Sequence, residues 1–201
     1  MSMCTALRIV FLGLATGIPG YGVAQNGALT PLNAAEIRSV ERALDRSLLP
    51  KGATDVHLVT SQTFHVQSAG YTELTLVPIR YTISEPGLVE GIDREHDQCG
   101  LYLIEPSSTT RFEKMVEGDE AGPIQCSGIE GVGLARGQGP HAQVILIFNA
   151  HTVRRSRSAP YLVSWSENDK HYVVEALTPP AGVPVSDSLT IAQVRKWMES
   201  R

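Results

Sequence analysis

From Thr54 to Leu177 the chain carries one strand-like run after another, and no segment of helical period falls between them. The runs are TDVHLVTSQTFHV (54–66), YTELTLVPIRYTI (71–83), LYLIEP (101–106), RFEKMV (111–116), AQVILIFNA (142–150), YLVSW (161–165) and HYVVEAL (171–177). A parallel, doubly wound sheet needs a helix between successive strands, so this order excludes it. Alternation is clearest over 71–83, where Leu74, Leu76, Pro78 and Arg80 fall on one face and Thr75, Val77, Ile79 and Tyr81 on the other. Pro78 has no N–H to give to a ladder and so marks an edge or a bulge. AQVILIFNA is the most apolar run and reads as the central strand. Turn-rich SENDK and PSSTT predict hairpins between the runs they separate.

Helical patterns stand only outside this region. Ile37, Val40, Leu44 and Leu48 share one face of a helix predicted over 33–49, opened by Asn33 and Glu36 as a capping box and stopped by Pro50 and Gly52. Thr190 and Gln193 open a second helix, with Ile191, Val194 and Met198 on its apolar face. The fold class that follows is α+β: a mainly antiparallel β-sheet with an N-terminal and a C-terminal helix and one disulfide.

The disulfide rests on a reading of the first segment. Arg8 precedes a short apolar stretch, IVFLGLATGI, which Pro19 and Gly20 break, and Gly22, Val23 and Ala24 give a small-x-small cleavage pattern. This predicts a secretory signal peptide over residues 1–24, leaving 25–201 as a single α+β domain in the periplasm or outside the cell. Removing Arg8 from the 17 basic residues leaves 16 against 21 acidic ones. Cys4 goes with the leader, so Cys99 and Cys126 remain and are expected to pair in an oxidising compartment. No later apolar run approaches membrane-spanning length.

The motifs argue against most chemistries. G-x-S-x-G, H-E-x-x-H and S-x-x-K do not occur, and the histidines show no ligand spacing. Gly131, Gly133 and Gly137 approximate a dinucleotide fingerprint, but a strand follows them where a helix is required. That stretch reads as a flexible turn before AQVILIF, and no cofactor is expected. Asp93, Glu95 and Asp97 resemble the first ligands of a calcium loop, yet its sixth and twelfth places hold Gln98 and Ile104. They read as an acidic loop, with no metal.

Two charged stretches remain as contact points for a partner. One is that acidic loop. The other is VRRSRSAP, which sets Arg154, Arg155 and Arg157 in a hairpin connection. The net charge of −4 argues against nucleic acid, whereas guanidinium forks suit carboxylates on a protein surface. The expectation is an exported binding protein of inhibitor or immunity type, neutralising a cell-wall-directed toxin or other enzyme by protein–protein contact. The alternative is a cell-envelope hydrolase or a small-ligand-binding module whose site is not visible in sequence.

Overall fold

The computed structural model describes residues 27–68, 70–86, 93–106, 110–116, 125–136, 139–151, 156–183 and 188–200. The expected leader, 1–24, lies outside them, as do Arg154 and Arg155. The described strands are β1 (Ala28–Pro31), β2 (Ala53–Leu58), β3 (Phe64–Ser68), β4 (Tyr71–Pro86), β5 (Asp93–Ile104), β6 (Arg111–Met115), β7 (Gln125–Leu134), β8 (Val144–His151), β9 (Ser156–Ser166) and β10 (His171–Ala176). Every pairing between them is antiparallel. They form two sheets. The first runs β1-β3-β4-β5-β6, with β2 also on β4, and the second runs β10-β9-β8-β7. AQVILIF contributes β8, an interior strand of the second sheet, and its apolar side chains are buried on both faces.

The run at 54–66 is not one strand. A 3-10 turn at Thr60–Gln62 divides β2 from β3, and the two halves pair with successive parts of β4. Pro78 sits at that changeover. Its carbonyl accepts from Val59 N at 2.9 Å, so its ring nitrogen faces the same gap and no ladder bond is lost. The opposite edge of β4 pairs with β5 without a break from Thr75 to Pro86.

The sheets pack face to face. Val66, Leu74, Leu76, Leu101 and Leu103 of the first meet Val144, Leu146, Phe148 and Val163 of the second, all fully buried. Each such side chain contributes roughly 1.5–3 kcal/mol by leaving water. Helix α1 (Ala34–Ala43) covers the outer side of the first sheet, where Val40 and Leu44 pack against Val77, Ile79, Tyr81 and Tyr102. Helix α2 (Ile191–Glu199) covers the outer side of the second, with Val194 buried against Ile145 and Ile147. The layers therefore run helix, sheet, sheet, helix.

Both helices open with reciprocal capping boxes, Asn33 with Glu36 and Thr190 with Gln193. The first helix ends at Ala43 rather than Leu49: Leu44 turns extended, and Asp45 caps a separate 3-10 turn at Arg46–Leu48 by accepting from Ser47 N. Leu48 accordingly leaves the apolar face and is exposed. Among the described residues no helix is long and apolar enough to cross a membrane.

Two stretches expected as loops are strands. GIEGVGL belongs to β7, paired with β8 across two register shifts. Its glycines answer to packing. A Cβ on Gly133 would stand 2.7 Å from Cγ2 of Ile191, so glycine here lets α2 settle on the sheet. DREHDQ opens β5, because the long partner β4 continues past the core and pairs with it down to Asp93.

Candidate functional site

Polar side chains gather at the two ends of the inter-sheet space. One end is marked by the disulfide. Cys99 and Cys126 stand at bonding distance with Cα atoms 5.5 Å apart, joining β5 of one sheet to β7 of the other. Register then locates the expected contact residues. Arg80 lies opposite Cys99, and Thr82, Ser84 and Pro86 lie opposite Asp97, Glu95 and Asp93. By alternation Asp93, Glu95 and Asp97 share the side of Cys99 and Leu101, the side that faces the second sheet. Beyond Ile83 the β4–β5 ribbon pairs with no other described strand, so it projects as an arm with this acidic row along one face.

Asp93 and Glu95 are exposed. Asp97 is half-buried and engaged: Arg80 Nη2 donates to it at 2.9 Å and Thr82 Oγ1 at 3.2 Å. Both ends of that ion pair are more than two-fifths exposed, so it adds little to stability. The row is no calcium loop. Its residues follow a paired strand instead of curling round a loop, with alternate Cα atoms about 7 Å apart. Among the described residues no group of three or more His, Cys, Asp or Glu side chains could hold a metal ion.

Arg157 lies on β9, not in the connecting loop where it was expected. The strand begins at Ser156 because β8 continues to His151, and Arg157 pairs with Ala150, itself opposite Cys126. It is exposed and shares the side of Ala159 and Tyr161, which pack between the sheets. The acidic row and Arg157 therefore border the same end of the inter-sheet space from opposite sheets. At the root of the arm lies an open recess of about 560 Å³, lined in part by Asp55, His57, Ser61, Arg80 and Asp97.

The other end holds a cluster that the sequence reading missed. Opposite Val66 and Gln67 of β3 stand Leu74 and Thr72 of β4, which leaves Glu73 as the extra residue of a bulge. Plain alternation would send Glu73 outward with Val77 and Ile79. The bulge turns it inward instead. Its carboxylate accepts from Tyr172 Oη at 2.5 Å and from Ala142 N at 3.3 Å, and lies 2.9 Å from His141 Nδ1. Since a carboxylate only accepts, Nδ1 carries the proton in that contact. His141 stacks on Trp165 at 4.5 Å, and Trp165 meets Tyr172 edge to face.

Glu105 follows β5 on the same inner side. Its Oε1 accepts from Arg111 Nη2 at 2.9 Å and from Tyr172 N at 3.2 Å, while Arg111 also donates to the Tyr172 carbonyl. Both carboxylate side chains are only 5% exposed. Burial first, then the hydrogen bond to Glu73 and the charges of Glu73 and Glu105, push the Tyr172 hydroxyl far above the usual tyrosine range. Tyr172 thus stays a donor. These groups border a recess of about 240 Å³ that also meets Tyr71, Thr72 and Pro106. The signal in the sequence was slight: a lone Glu inside a strand, set on the face opposite to the one it takes.

No family model matches the chain, and neither a curated protein nor a solved structure resembles it at a significant level.

Proposed function

We propose that the protein is an exported binding protein of inhibitor or immunity type, which neutralises an enzyme of the cell envelope by contact at its disulfide end. One observation carries the reading: exposed Asp93 and Glu95 on a projecting arm, with exposed Arg157 across the mouth on the other sheet. A surface divided in this way selects a partner with a basic patch against the arm and an acidic patch against β9. Arg154 and Arg155 add to the basic side by sequence. The cysteine pair joining the two sheets beneath this mouth fits an oxidising compartment and holds the halves in register.

The hydrolase alternative draws less support. Glu73 meets three donors and the Tyr172 hydroxyl gives its proton to Glu73, so neither is turned toward a substrate.

Affinity capture from envelope extract is the test. It is expected to recover an enzyme in stoichiometric amount, whose activity falls when the protein is added. Asp93→Lys with Glu95→Lys should slow association about tenfold at low salt, and Arg154, Arg155 and Arg157 changed together to Ser should do the same. Recovery of no enzyme, recovery of a second copy of this chain alone, or capture indifferent to both variants at low salt would reject the proposal.

A further inference from the structure

We infer that the recess at the Glu73 end is a binding site for a compact organic cation, an alkylammonium group carried on a small apolar body. The recess has about 240 Å³, room for a handful of heavy atoms, and Tyr71, Trp165 and Tyr172 give it aromatic walls. Its buried polar atoms leave one acceptor open. Glu105 Oε1 takes two donors, but its Oε2 receives no hydrogen bond from the described residues, although the side chain is only 5% exposed. His141 gives Nδ1 to Glu73, and the charge of Glu167 also acts on its ring. A ligand that meets Oε2 must therefore bring a donor.

Charge points the same way. Two buried carboxylates, Glu73 and Glu105, border the recess; the Arg111 guanidinium stands against Glu105, and His141 contacts Glu73. Carboxylates thus outnumber guanidinium and ammonium groups at its wall, in a setting largely withdrawn from water. An ammonium group offers three donors and a positive charge, and aromatic faces favour it further. An anion would meet two carboxylates, and a neutral alcohol would offer Glu105 Oε2 a hydrogen bond without a charge. The site is distinct from the disulfide end, so its success or failure is independent of the enzyme-docking reading.

The test is a titration of the protein with n-butylammonium chloride, read from the amide signals of Ala142 and Tyr172 and the indole signal of Trp165. Saturable shifts at all three are expected, with n-butanol and butyrate binding at least about tenfold more weakly. Glu105→Gln keeps the acceptor for Arg111 and Tyr172 N but removes the charge, and should weaken the ammonium about tenfold or more. Tyr71→Ala at the exposed rim tests the walls without touching the buried network, and should weaken it severalfold. Asp93→Lys with Glu95→Lys should change nothing. Absence of saturable shifts, equal binding of butanol, or full affinity in both Glu105→Gln and Tyr71→Ala would overturn the inference.

Discussion

The two ends of the inter-sheet space are held by opposite means. At one, a bulge and a strand end bring Glu73 and Glu105 inward, and Tyr172, His141, Arg111 and Ala142 N supply the donors. At the other, one covalent link joins the sheets and the charged groups stand outside it. A buried polar network is strong only when every member has its partner, because low polarity magnifies both the bond and its loss. A disulfide acts chiefly on the unfolded chain and asks nothing of its neighbours. The first end should therefore be intolerant of single changes, while the surface around the second is open to variation.

The largest effect should come from Glu73→Ala. It leaves the Tyr172 hydroxyl, Ala142 N and His141 Nδ1 without their acceptor, and a loss of about 3–5 kcal/mol is expected in denaturant unfolding. A loss below about 1 kcal/mol would mean that apolar packing alone closes this end. Replacing Cys99 and Cys126 together by Ser should come next. The pair is separated by 27 residues in sequence, which corresponds to about 3.5 kcal/mol from loop closure. A double variant as stable as the parent would show that the sheets hold together without the link.

Alkaline pH distinguishes the ends further. The Tyr172 hydroxyl is raised in the fold and ordinary when unfolded, so its contribution is complete below about pH 10 and drains away above it, as the unfolded chain begins to lose the proton. Stability should fall over that range, and Tyr172→Phe should make the fall shallower while lowering stability at neutral pH by about 1.5–3 kcal/mol. Parallel curves for the two proteins would place the alkaline sensitivity elsewhere.

How far these features could be read in the sequence depends on how local their causes are. Alternation over 71–83 and the capping boxes at Asn33 and Thr190 are written in neighbouring residues, and the structure forms strand and helix starts at those places. The division into two sheets is not local, since nothing near Leu146 or Leu101 says that they belong to facing layers. Gly133 looked like turn chemistry because the reason for it, Ile191, is far along the chain. Asp93–Gln98 looked like a loop because both faces are polar, although buried His96 and Gln98 alternate with exposed Glu95 and half-buried Asp97. The site at Glu73 was hidden most completely. A single inserted residue reverses its face, and its partners come from β10 and from the segment before β8.

The smallest effect on stability should come from the charges at the disulfide end, and it sharpens the comparison most. Asp93 and Glu95 are exposed, have no ion-pair partner among the described residues, and stand on an arm that pairs with no further described strand. Reversing both should move stability by no more than about 0.5 kcal/mol. Arg157→Ser on β9 should be equally quiet, since its side chain is exposed beside small Ala150. Groups that do nothing for the fold yet sit together at one mouth can be changed to probe binding alone. If the reversal instead destabilised the protein by more than about 1 kcal/mol, the acidic row would belong to the architecture, as Glu73 does, and the contrast between the ends would fail.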